Sequence, residues 1–112
     1  MSHIADTIIA FSVCDEDRVH DITKYFESID QVPPVFLDDG ISPRKYGGTY
    51  AIQRTVMVGA YNYLDIDALV SFMESLTWVI PEDVQLLIAD EHDEPHVFSE
   101  RLNRKNMKTR HG

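Results

Sequence analysis

The spacing of apolar residues alternates along this chain between a period of two and a period of about 3.6, and that alternation restricts the folds open to it. In "TIIAFSVC" (7–14), Thr7, Ile9, Phe11 and Val13 fall on one side and Ile8, Ala10, Ser12 and Cys14 on the other, which predicts a strand. In "DEDRVHDITKYFESID" (15–30), Val19, Ile22, Phe26 and Ile29 recur at helical spacing. Asp15 is the expected N-cap there, and Glu16 and Asp17 suit the positive end of the helix dipole. Pro33 and Pro34 stop that helix and start a short edge strand, "VFL" (35–37).

A Gly- and Pro-containing stretch, "DDGISPRKYGG" (38–48), reads as a loop. "TYAIQRTVMVGAYNYL" (49–64) is the longest β-type run, and Gly59 and Ala60 within it mark a close approach or a bulge. "DIDALVSFMESL" (65–76) is a second helix, capped by Asp65, with Ile66, Leu69, Val70, Met73 and Leu76 as its buried stripe. "VQLLIAD" (84–90) is a strand, and "HVFSE" (96–100) a short partner for it. The order predicts an α+β domain over residues 1–100. Its expected form is a ferredoxin-like βαββαβ sandwich, an antiparallel sheet with two helices on one face and an extra C-terminal strand.

Charge divides the chain in two. All 19 acidic residues lie within residues 1–100, beside only Arg18, Lys24, Arg44, Lys45 and Arg54. Residues 101–112 hold Arg101, Arg104, Lys105, Lys108 and Arg110 with no acid, and they read as a basic, flexible tail. The net charge of −9 disfavours a nucleic-acid partner except through that tail, and it favours a basic protein partner. No apolar run approaches the length of a membrane span, and the N-terminal residues do not have the pattern of a signal peptide. A single cysteine, Cys14, makes no internal disulfide and points to a reducing, cytoplasmic setting. Cys14 itself reads as a small buried residue, since no base or oxyanion donor is placed beside it.

"ADEHDEPHVF" (89–98) concentrates Asp90, Glu91, Asp93 and Glu94 around His92 and His96. Two histidines four apart are metal candidates on a helix, but Pro95 and the strand-like flanks favour a solvated acidic turn. "SPRKYGGTY" (42–50) has paired glycines after two cations, yet no helix follows to make it a phosphate loop. Tyr46, Tyr50, Tyr61, Tyr63 and Trp78 lack the basic strand motif that reads RNA, and they suit a protein interface better.

No catalytic grouping and no cofactor are expected. The functional expectation is a small non-catalytic protein-binding module, such as a stoichiometric inhibitor or immunity-type protein for a basic partner. Its expected contacts are Asp38, Asp39, Asp90, Glu91, Asp93 and Glu94, with Tyr46 and Tyr61 as anchors. The alternative is a homodimeric small-molecule-binding or small enzymatic domain.

Overall fold

The computed structural model describes residues 2–37 and 52–110. In chain order these form β1 (Ile4–Ser12), α1 (Arg18–Ser28), β2 (Val35–Leu37), β3 (Arg54–Asn62), α2 (Ile66–Ser75), β4 (Thr77–Trp78), β5 (Gln85–Asp90), β6 (Ser99–Glu100) and β7 (Lys108–Thr109). Single 3-10 turns at Val13–Asp15, Pro81–Asp83 and Arg104–Asn106 join some of them. The fold is α+β. A five-stranded antiparallel sheet runs β2-β3-β1-β5-β6, and β4 and β7 form a separate parallel pair. The fifth strand and the extra pair depart from a plain four-stranded sandwich.

Alternation along the strands sets the core. Ile9, Phe11, Met57, Leu86 and Ile88 point to the same side and are fully buried against Ile22 and Phe26 of α1 and Leu69 and Met73 of α2. Each such side chain contributes roughly 1.5–3 kcal/mol by leaving water. Trp78 is also fully buried, and its indole Nε1 donates to Met73 O at 3.2 Å.

Gly59 has a specific packing reason. The Tyr61 ring lies over it, stacks on Phe26 at 4.8 Å between centroids, and donates its hydroxyl to Val32 O at 2.8 Å.

Helix ends follow local chemistry. Asp65 caps α2, accepting from Ala68 N at 3.0 Å. Asp15, expected to cap α1, does not. It lies in the preceding 3-10 turn, fully buried, and accepts from Val79 N at 2.8 Å and Ile80 N at 3.1 Å. β1 ends at Ser12, whose hydroxyl accepts from Cys14 N, so Val13 and Cys14 leave the strand and are exposed. The C-terminus of α1 closes before the prolines. Asp30 adopts φ 60°, and Gln31 N donates back to Phe26 O at 2.9 Å, a Schellman closure with Asp in the left-handed position. Ile29 is then 40% exposed instead of completing the buried stripe.

The stretch expected as a flexible tail is docked over residues 101–110. Leu102 is 7% exposed and Met107 packs on the core. Arg101 donates to Ile88 O at 3.3 Å, and Arg104 donates to Pro81 O at 3.1 Å and to Val84 O. Arg110 pairs with Asp17 at 3.1 Å, and its backbone N–H donates to Trp78 O at 2.7 Å. The tail's charges thus serve the acidic body, filling carbonyls and carboxylates that the strands leave open.

Candidate functional site

β1 begins, and β3 and β5 end, at one end of the sheet, and polar residues collect there. His3 Nε2 lies 2.8 Å from Asp90 Oδ2, and Asp90 Oδ1 accepts from His92 N at 3.0 Å. Glu91 accepts from Ile4 N at 2.7 Å and Ser2 Oγ at 2.9 Å. The His3 and His92 rings meet edge to face at 4.5 Å, and Tyr63, 62% exposed, stands 6.0 Å from His3. Both carboxyls are held below the ordinary carboxylate range. For Asp90 the hydrogen bond from His3 is the main cause, and for Glu91 it is the backbone N–H of Ile4.

The acidic turn therefore differs from its expected role. Asp90 is buried, and Asp90 and Glu91 fasten the N-terminal segment to the end of β5. Asp93 holds Arg101 at 2.8 Å. Glu94 alone among the four is exposed without an ion pair to a described residue. His92 meets His3, which the sequence does not place near it. Among the described residues no three His, Cys, Asp or Glu side chains are grouped to hold a metal.

Tyr61, an expected anchor, is in the core at 5% exposure, and burial pushes its phenol up to about 12. Trp78 is likewise interior. Asp38, Asp39, Tyr46 and Tyr50, with the glycine-paired loop, lie outside the described residues. The chain matches no family model, no curated protein and no solved structure.

What remains outward at this end is the stretch that follows the turn. Residues 94–98 are all exposed, with Val97 at 55% and Phe98 at 47%. Only Ser99 and Glu100 of the expected returning strand pair with β5, at Ile88 and Leu87. The stretch is short and fixed at both ends. Asp93 is tied to Arg101 across it, Val97 N donates to Pro95 O at 3.0 Å, and Glu100 accepts from Leu86 N at 2.9 Å. Sequence reasoning gave Val97 and Phe98 a place in a strand. The signal against it is Pro95, two residues before Val97, which limits pairing on that side.

His3 and Asp90 form a carboxylate-oriented imidazole, the arrangement of a general base. No nucleophile is hydrogen-bonded to that imidazole among the described residues. A shallow depression of about 520 Å³ lies elsewhere, between α2 and the docked C-terminal stretch, lined by Ser71, Glu74, Lys105 and Met107 among others.

Proposed function

We propose that the protein is a small non-catalytic binding module that engages a protein partner through residues 94–98, in the manner of a stoichiometric inhibitor or immunity-type protein. The observation that carries this reading is the adjacent exposure of Val97 and Phe98 on a stretch pinned at both ends. Two neighbouring apolar side chains held in water favour a partner that removes them from it. Pinning lowers the ordering cost of association. The net charge of −9 and the outward carboxylate of Glu94 favour a basic surface opposite. A cytoplasmic setting belongs to the same reading, and among the described residues no helix is long and apolar enough to cross a membrane.

The test is capture of the partner from the native host, followed by binding measurements with the wild type and Phe98→Ala. Loss of at least about tenfold in affinity for Phe98→Ala, with weaker binding at raised salt, is the expected result. A partner that is not basic, or one that binds Phe98→Ala as tightly as the wild type, overturns the reading.

A second reading rests on the sheet. The order β2-β3-β1-β5, with a helix after β1 and another after β3, supports assigning these four strands to a ferredoxin-like βαββαβ unit extended by β6. In a small-molecule-binding domain of that kind, the imidazole of His3 oriented by Asp90 would face the ligand. A metabolite screen by thermal shift tests it: a ligand must raise the melting temperature of the wild type more than that of His3→Ala.

A further inference from the structure

The helices cover one face of the five-stranded sheet. The strand register fixes what lies on the other. Asp6 stands between Ala60 and Ala89. In the next row Ile8 stands between Val58 and Leu87, with Val35 beyond Val58. Then Ala10 stands between Val56 and Gln85, with Leu37 beyond Val56, and Ser12 stands beside Arg54. No apolar member of these rows belongs to the core under the helices. Val35 is 63% exposed, and Ile8, Val56, Val58 and Leu87 are half-buried.

We propose that a second copy of this chain covers this face. The two copies are related by a two-fold axis that lies in the interface and crosses the strands between the Ile8 and Ala10 rows. Such an axis reverses the order of the rows. It sets Ile8 of one copy over Ala10 of the other, a large side chain over a small one, and Val58 over Val56. It also carries Asp6, the charged side chain at the edge of the apolar rows, to the row that holds Arg54 of the other copy. Asp6 is exposed, and among the described residues Arg54 is engaged by a long ion pair of 3.6 Å to Asp83 and by the neighbouring Gln53 carbonyl. An axis along the strands leaves Asp6 over Ala60 without a counter-charge, which is costly once water is excluded.

At about 4.8 Å between strands and about 3.4 Å per residue, seven residues each of β1 and β3, six of β5 and three of β2 present roughly 400 Å² in projection. A partly exposed apolar patch of that size is within the range of the largest patches on single proteins, which often serve interactions. The pairing uses residues other than Val97 and Phe98, the apolar contacts proposed for the partner.

The test is the mass in solution, by sedimentation or light scattering over a concentration series, for wild type, Asp6→Arg, Arg54→Asp and an equimolar mixture of the two variants. The wild type is expected at twice its 12.9 kDa chain mass. Each variant alone sets like charges opposite one another twice, and dimerises at least about tenfold more weakly. In the mixture the introduced arginine of one variant faces the introduced aspartate of the other, and the native Asp6 faces the native Arg54. Affinity then recovers to within about threefold of the wild type. A wild type that stays monomeric up to about 100 µM overturns the proposal, whatever else covers the face. So does a mixture that associates no better than its components.

Discussion

The ring of Tyr61 lies so close over Gly59 that a β-carbon on the glycine would stand 2.8 Å from Cε2. The ring is held at two points, since Phe26 stacks on it and Val32 O accepts from its hydroxyl. Gly59→Ala is therefore expected to cost about 1–3 kcal/mol, read from the urea midpoint. Combining it with Tyr61→Phe, which frees the ring from Val32, recovers part of that loss. An unchanged midpoint for Gly59→Ala would show the ring to be mobile.

Asp15 holds the link between β4 and the Pro81 turn to the start of α1 through two backbone N–H groups. Asp15→Ala orphans both donors at an otherwise buried carboxylate site, and a loss of about 2–4 kcal/mol is expected in chemical denaturation. A loss below about 0.5 kcal/mol would mean that water replaces the carboxylate at no cost.

The docked C-terminal stretch can be tested by a single side chain. Leu102→Ala removes a buried aliphatic group and is expected to cost about 2–3 kcal/mol, while Lys105→Ala, on the exposed side of the same stretch, changes stability by less than about 0.5 kcal/mol. Equal and negligible effects would restore the picture of a loose basic tail.

Asp90 and Glu91 titrate lower in the folded protein than ordinary carboxylates do. The unfolded chain therefore binds more protons in the acid range, and stability rises with pH there. Their contribution is complete above the unfolded carboxylate range, about pH 4 to 5, and is lost as pH falls through the folded values. His3→Ala removes the main cause at Asp90 and should flatten the acid limb of the melting temperature plotted against pH. A limb of unchanged steepness would assign the acid sensitivity to other carboxylates.

Much of the fold was legible because it depends on short-range pattern. The alternation in 7–12 and 55–61 and the stripes Ile22–Phe26 and Leu69–Met73 encode which face is buried, and Asp65 caps its helix as its position predicts. Long-range partners were not legible. Nothing local to Asp15 separates an N-cap from an acceptor for Val79 and Ile80, because both roles need a carboxylate at a helix start. The carboxylates of 90–93 looked free because His3 and Arg101, which engage Asp90 and Asp93, are distant or on the far side of a loop. A run of cations without acids looked unstructured, although its partners were the carbonyls and carboxylates of the body. Tyr61 looked like a surface anchor because a strand pattern shows which residues share a face, and not which face the helices cover.

The chain has one tryptophan, and the end of the C-terminal stretch pairs with its strand. Trp78 is sealed from solvent, with Phe11 at 5.3 Å and Arg18 over its ring at 6.0 Å, and its carbonyl receives the N–H of Arg110. The protein thus carries an optical gauge of its own clasp. Release of residues 101–110 would admit water to the indole and shift its emission to longer wavelength, while the helical circular dichroism from α1 and α2 persists. Opening of the clasp and collapse of the domain would then be seen as two separate signals in an unlabelled sample.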